Sequence, residues 1–343
     1  MRQILSFVII VLSTNLLPAQ TPTEPGKGSI SGLMFGDYSY NVAGKSPDMQ
    51  KFEFRRIYFT YDYDLNPTFT MRFRLEADQG AFFANGKLSS FIKDAYLKWK
   101  GIYVNADFTF GIQPTPAFEF SEAAWGYRCI EKTILDLNGI QGSRDFGVSL
   151  RGKADEGGML NYFLLIGNNS GNNQETDKYK RFSGLVQAKP IKGMQVYAVA
   201  DFAPALPVTV FGDSKKKDVF TLAAFAGYEE KDKYSAGIEW FTQSKANFKT
   251  DSTAKTTPDL KRTGLSVFGW YAFSDVLRGA VRFDKYDPDS GVDKDGWNTA
   301  YLGVDYLLAK DIHVIPNVIL TMYENTDSKS DVTGRVTFFF QFK

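Results

Sequence analysis

Hydrophobic and polar residues alternate along much of this chain with the period of a β-strand. In residues 68–78, Phe69 and Met71 fall on one face, and Arg72 and Arg74 fall on the other. Alternation of this kind predicts a strand with one apolar and one polar side. Such a strand suits a soluble β-sandwich and a membrane barrel equally well. The repetition of the pattern and the lengths of the connections therefore decide between the two.

Sixteen segments have a strand pattern, and the connections between them alternate between short turns and long polar loops. One of the short turns is placed at Gly101. The strands cover residues 28–40, 51–64, 67–78, 91–100, 102–112, 144–152, 159–167, 181–190, 193–202, 218–229, 233–242, 262–273, 276–286, 297–308, 311–323 and 331–343. The long loops cover residues 41–50, 79–90, 113–143, 168–180, 203–217, 243–261, 287–296 and 324–330.

This rhythm is typical of a transmembrane barrel, which has short turns at its periplasmic rim and long loops outside the cell. The sequence therefore predicts an all-β fold, a transmembrane antiparallel β-barrel of about 16 strands, with both termini on the periplasmic side. Residues 113–143 form the longest connection, and a segment of that length without strand pattern is usually functional. We expect this third long loop to fold into the pore.

Two strands do not have a clear lipid-facing side. Between residues 52 and 62 both faces carry charge, because Arg55 and Arg56 are neighbours. Between residues 220 and 228 both faces are apolar. A subunit contact that replaces lipid over part of the wall is one interpretation of the second case.

The N-terminus has the pattern of a secretory signal peptide. Arg2 supplies the positive charge, residues 4–12 form a short apolar run, and Ala19 offers a small residue before a cleavage point. The alternative is an uncleaved apolar first strand. The sequence predicts a signal peptide at 1–19, a barrel domain at 20–343, and export to the bacterial outer membrane, where the wall would meet lipid and lipopolysaccharide.

Composition agrees with an exported barrel and argues against several other classes. The chain has 343 residues, with 40 Lys and Arg against 39 Asp and Glu, so it lacks the basic excess of a nucleic-acid-binding protein. It is rich in aromatic residues, with 30 Phe and 18 Tyr. Cys129 is the single cysteine, which excludes an intrachain disulfide.

Strands four to six resemble a known family, the phosphate-selective porins O and P. The resemblance rests on Lys93-Asp-Ala-Tyr-Leu97, Gly111-Ile-Gln-Pro-Thr-Pro116, Phe118-Glu119, Ile130-Glu-Lys132, Ser143-Arg-Asp-Phe-Gly-Val148 and Gly152. It implies a sixteen-stranded, often trimeric outer-membrane porin whose third long loop folds inward. The loop departs from the family because acids outnumber bases in it, and because Lys132 stands where arginine is expected. We therefore do not expect this chain to share the phosphate selectivity of the family.

The predicted function is a water-filled channel for passive diffusion of ions and small polar solutes, without enzymatic activity or a cofactor. A pore selects by its width and by the field at its narrowest point. The candidate constriction and lumen residues are Arg72, Arg74, Glu119, Glu122, Arg128, Glu131, Lys132, Arg144 and Arg151. In the alternative interpretation, the charges of the loop pair with the wall and hold the loop in place.

Two rival classes and one metal hypothesis stay open. An outer-membrane barrel hydrolase would need a histidine base, and His313 is the single histidine, placed near a predicted periplasmic turn. A non-conducting structural or adhesive barrel would share the strand pattern. Loop 287–295 has oxygen-bearing side chains at alternate positions, which is a weak calcium-binding pattern without the terminal glutamate. No residue is assigned as catalytic or as a metal ligand.

Overall fold

The computed structural model describes residues 26–343, in which sixteen strands close into a barrel. The barrel strands are β1 (Lys27–Ala43), β2 (Gln50–Asp64), β3 (Phe69–Phe82), β4 (Leu88–Tyr103), β5 (Ala106–Pro114), β6 (Arg144–Lys153), β7 (Leu160–Gly167), β8 (Arg181–Ala188), β9 (Met194–Ala203), β12 (Val219–Glu230), β13 (Tyr234–Lys245), β14 (Leu260–Ser274), β15 (Leu277–Asp287), β16 (Trp297–Ala309), β17 (Ile312–Tyr323) and β18 (Asp331–Phe342). Two short strands, β10 (Val208–Val210) and β11 (Asp213–Lys215), pair with each other in the loop between β9 and β12.

Each barrel strand pairs antiparallel with its neighbours in the chain, and the barrel closes between the first and last strands, where Gly32 pairs with Phe342. The predicted fold is confirmed. Short turns lie at one end of the barrel and long loops at the other, and the longest loop is 115–143. The predicted signal peptide at 1–19 lies outside the described residues.

The two faces of the wall differ in the way the alternation predicts. On β15, Val281 and Phe283 point outward and are 54% and 46% exposed, whereas Arg282 and Asp284 point inward and are 3% and 4% exposed. The outer surface is therefore apolar and can contact lipid, while charged groups are buried inside. No helix in residues 26–343 is long and apolar enough to cross a membrane.

The prediction of a short turn at Gly101 is wrong. Strand β4 continues through Tyr103, and the turn lies at residues 104–105. Asn105 adopts a left-handed φ of 60°, which asparagine tolerates in a turn. Val104, which falls inside the fifth predicted strand at 102–112, therefore lies at the turn.

Two β-bulges explain why adjacent charges both point into the lumen. On β2, the pairing with β1 skips Arg55, so that Arg55 and Arg56 both face inward. On β4, the pairing with β3 skips Lys93, so that Lys93 and Asp94 are both buried inside. A bulge inserts one extra residue and breaks the strict alternation of faces.

The strand that is apolar on both faces also has a structural explanation. Phe220 and Leu222 of β12 are exposed on the outer surface. Ala223 and Phe225 point inward and belong to the apolar cluster that includes the loop side chain Trp125. The inward apolar face of β12 therefore supports the folded loop.

Candidate pore constriction

The loop between β5 and β6 folds back into the barrel as a compact unit. Its stem is closed by the amide of Thr115, which donates to Ser143 O at 3.2 Å. It contains two short helices, α1 (Glu119–Trp125) and α2 (Ile134–Leu137). Helix α1 ends at Gly126, whose φ of 69° is in the left-handed region that glycine adopts readily. This turn sends the chain on across the lumen.

Polar contacts fix the loop to the wall around much of the barrel. They join Ser121 Oγ to Glu239 Oε1 at 2.5 Å, Ala124 O to Ser235 Oγ at 2.8 Å, Tyr127 OH to Asp305 Oδ2 at 3.0 Å, Ile130 O to Arg55 Nη1 at 2.9 Å, Ile140 O to Gln243 Nε2 at 2.6 Å, and Gln141 Nε2 to Asp201 Oδ2 at 2.9 Å. The partners lie on β2, β9, β13 and β16. The loop therefore crosses the lumen from wall to wall.

Apolar packing fills the space between the loop and one side of the wall. Trp125, Ile130 and Ile134 are fully buried. A Cβ added to Gly303 on β16 would lie 2.6 Å from Ile130 Cδ1, so glycine there lets the loop approach the wall closely. Burial of this kind stabilises the loop by roughly 1.5–3 kcal/mol for each large apolar side chain. The loop is thus a packed part of the barrel interior.

The opposite side of the lumen carries buried cations that are paired with carboxylates. We call this side the arginine wall; its cations are Arg56, Arg74, Lys93 and Arg144. Arg56 and Lys93 both contact Glu76, with Lys93 Nζ 2.8 Å from Glu76 Oε2. Asp94 sits between Arg74 and Arg144, and it is 3.3 Å from Arg74 Nη1. These buried carboxylates compensate cations that would otherwise be costly to bury.

Residues from two of the motifs that carry the family resemblance, 93–97 and 143–148, meet at the stem of the loop. Lys93 Nζ donates to Ser143 Oγ at 3.0 Å, and Arg144 pairs with Asp94. Asp145 accepts from the amides of Asn169 and Phe146 at 2.8 and 3.0 Å. This cluster holds the stem of the loop to the neighbouring loop 168–180.

Each candidate residue forms an ion pair, and these pairs lie within the wall, within the loop, or between the loop and the wall. The pairs are Arg72–Asp62 at 2.7 Å, Arg74–Asp94 at 3.3 Å, Arg128–Glu122 at 2.5 Å, Arg128–Asp136 at 2.8 Å, Arg335–Glu131 at 3.7 Å, Lys132–Asp136 at 3.9 Å, Arg151–Glu119 at 3.0 Å, and Arg144–Asp94. Glu119 and Glu122 keep side-chain exposures of 39% and 31% although they are paired. Glu119 joins the loop to Arg151 of the wall, whereas Glu122 pairs with Arg128 inside the loop, and both acids stay partly exposed.

An open cavity of about 490 Å³ lies against the loop and extends toward the short-turn end of the barrel. We call it the basal chamber. Four of the candidate residues line it: Arg74, Glu119, Glu122 and Arg128. Arg72, Glu131, Lys132, Arg144 and Arg151 do not. Residues that the sequence did not indicate also line it, namely Leu33, Phe35, Arg56, Tyr58, Trp270, Arg278, Asp305, Ile315 and Phe339.

The surroundings of the buried titratable groups in the loop determine their protonation states. Burial disfavours the charged form of Arg128, but Glu122, Tyr58 and Asp136 together outweigh this and raise the pKa of Arg128 above its usual range. Burial raises the pKa of the Tyr127 phenol and of the Cys129 thiol. Tyr127 and Cys129 are therefore neutral at pH 7, and the net charge of the loop comes from its acids, Arg128 and Lys132.

The structure shows the surroundings of His313 and of the candidate calcium loop. His313 Nδ1 lies 3.0 Å from both carboxylate oxygens of Asp305, and its ring packs edge-on against Phe339. In loop 287–295, Asp289 pairs with Lys249 at 2.7 Å. Within residues 26–343, no three His, Cys, Asp or Glu side chains come together as a metal site. The calcium hypothesis for this loop therefore has no structural support.

Several solved structures similar to this chain are bacterial outer-membrane proteins. They include the outer membrane channel DcaP of Acinetobacter baumannii (15% identity, covering 95% of this chain and 100% of that chain, TM-score 0.69). They also include Salmonella typhi OmpF in complex with daunomycin (15% identity, 94% and 99%, TM-score 0.67) and an anion-selective porin from Comamonas acidovorans (13% identity, 92% and 100%, TM-score 0.66).

No family model matches the chain. No curated protein matches it in sequence either. At these levels of identity the structural likeness establishes the fold alone. The chain has the fold of the general bacterial porins, and its resemblance to the phosphate-selective family is not confirmed.

Proposed function

We propose that this protein is an outer-membrane porin that lets ions and small polar solutes diffuse through a water-filled channel. The observation that carries the proposal is the loop 115–143, which crosses the lumen and leaves the basal chamber open beside it. The apolar outer surface and charged interior of the wall support insertion in a membrane. Residues 1–19 are proposed as the signal peptide that exports the chain to the bacterial outer membrane.

The proposed constriction lies between helix α1 and the arginine wall. Glu119 and Glu122 project from the loop, while Arg56 and Arg74 line the same cavity from β2 and β3. Opposed charges on the two sides of a narrow passage create a transverse field that orients polar solutes and selects ions. Arg128, Arg144 and Arg151 keep the acids and the loop stem in place.

The finer assignments rest on the sequence resemblance. Membership of the phosphate-selective porin family and a homotrimeric state are proposed from the motif residues around Lys93 and Arg144. The outer surface would then contact lipid, lipopolysaccharide and two further copies of the chain. The proposed function is non-enzymatic. His313 lines the basal chamber, and we assign it a structural role because its Nδ1 is bound to Asp305 and its ring packs on Phe339.

The proposed function predicts how the ion preference responds to the two loop acids. In the double variant Glu119→Gln and Glu122→Gln, two negative charges leave the passage, and Arg151 loses its carboxylate partner. The channel should therefore become less selective for cations or more selective for anions. In a planar bilayer with a roughly tenfold KCl gradient, we expect the reversal potential to shift toward the anion value by on the order of 10 mV.

The matched control is Glu156→Gln, which removes an exposed acid from a turn at the short-turn end. It should leave the reversal potential unchanged. A double variant with wild-type reversal potential would show that these two acids do not set the field of the pore.

A further inference from the structure

The basal chamber has an apolar side that is unusual for the interior of a porin-like barrel. Lumens of this class are lined by polar side chains. Here Leu33, Trp270 and Phe339 are half-buried and line the chamber, and Phe35 and Ile315 are buried behind them. A chamber of about 490 Å³ is within the size range of small-molecule sites, which is roughly 300–1,000 Å³.

One arginine of the chamber differs from the others. Arg56, Arg74 and Arg128 each pair with a carboxylate, and Arg74 is 3.3 Å from Asp94. Arg278 also lines the chamber, but no carboxylate of residues 26–343 lies within 4.0 Å of it. Its Nε is buried and has no hydrogen-bond partner among the described residues.

The lack of a partner for Arg278 follows from the strand register. Arg278 on β15 stands directly opposite Asp305 on β16, which would be its natural partner. Asp305 instead binds His313 Nδ1 at 3.0 Å and accepts from Tyr127 OH at 3.0 Å. The guanidinium of Arg278 lies over the ring of Trp270, 5.3 Å from its centroid. Stacking holds the group flat, and its Nη groups, which make no hydrogen bond to the described residues, are the ones available for a planar acid group.

From these observations we infer that the basal chamber is a binding site for organic anions that have a flat apolar body and one acid group. The acid group pairs with Arg278, and the apolar body lies against Trp270, Leu33 and Phe339. This inference rests on the proposed porin function and names the class of solute that its lumen favours. A simple inorganic anion would meet the arginine but gain nothing from the apolar side.

Binding can be measured directly on the purified full-length protein in detergent by isothermal titration calorimetry. The probe is 2-naphthoate, with acetate as the charged probe without a ring and 2-naphthalenemethanol as the ring without charge. We expect 2-naphthoate to bind roughly tenfold or more tightly than either comparison probe, because each of them loses one of the two interactions. Equal affinity of acetate and 2-naphthoate would overturn the inference.

The arginine is tested by Arg278→Gln, which should weaken 2-naphthoate binding by roughly tenfold or more. Arg262→Gln is the matched control. Arg262 also points inward from the wall and has a buried Nε without a partner, but it lies toward the long-loop end and does not line the chamber. Unchanged affinity in Arg278→Gln, or an equal loss in both variants, contradicts the assignment.

A third variant keeps the inference testable if Arg278→Gln fails to fold. Trp270→Leu should weaken 2-naphthoate binding by a few fold and leave acetate binding unchanged. Unchanged 2-naphthoate binding in this variant would overturn the role of the ring. Calorimetry does not depend on conduction, so the two proposals can fail separately. Binding without channel activity would reject the porin function, whereas channel activity without binding would reject this site.

Discussion

Replacing residues 118–138 by a short Gly-Ser linker is expected to increase the single-channel conductance by roughly twofold or more, because conductance is limited by the narrowest section of a pore. The replaced segment includes both helices and the buried side chains Trp125 and Ile130. The barrel should still form, since its strands pair with each other and not with the loop. Recording in a planar bilayer at fixed salt measures the effect.

A deletion in another long loop serves as the control. Residues 250–256 belong to the connection between β13 and β14, and they are mostly exposed. Their removal should leave the conductance at the wild-type value. If the replacement in 118–138 also conducts like the wild type, loop 115–143 does not form the constriction.

Asp94→Asn is expected to reduce the free energy of unfolding by about 3–5 kcal/mol, because it removes the charge that compensates two buried arginines. Asp94 has no exposed side-chain surface, and Arg74 and Arg144 are 19% and 13% exposed. The amide keeps the shape of the carboxylate, so the loss reports charge and not volume. Denaturant unfolding in liposomes or detergent, followed by circular dichroism, measures the change.

Asp62→Asn removes the same kind of charge from an exposed pair. Asp62 and Arg72 form a bidentate contact at 2.7 and 2.9 Å, but their side chains are 37% and 30% exposed. Such a pair is expected to contribute less than about 1 kcal/mol. Similar losses in the two variants would mean that burial does not determine the contribution of these charges.

The fold could be predicted from the sequence because a membrane barrel imposes a period of two on every strand. Lipid requires apolar side chains outside and water requires polar ones inside. The sequence of each strand therefore shows which of its faces lies on the outside of the barrel. The position of the folded loop could also be predicted, because residues 113–143 interrupt the strand pattern over a long stretch. Turn chemistry was less clear: Gly101 looked like a turn, but Asn105 takes the left-handed position.

The lining of the chamber could not be predicted because it depends on strand register and on local departures from alternation. The bulge at Arg55 turns two neighbouring arginines inward, and a simple period of two cannot represent this. Arg278 lacks a carboxylate partner because Asp305 is bound by His313 on the next strand and by Tyr127, which is 178 residues away in the loop. Such competition becomes visible only when the strands are aligned and the loop is in place.

The central claim is that the folded loop narrows the lumen but leaves a passage through it. The most direct test is the recording of purified wild-type protein in a planar bilayer. The structure predicts discrete current steps whose size rises in proportion to the salt concentration and is nearly independent of voltage at low voltages, as in a passive water-filled pore. A correctly folded barrel that inserts into the bilayer and produces no current steps would contradict the claim.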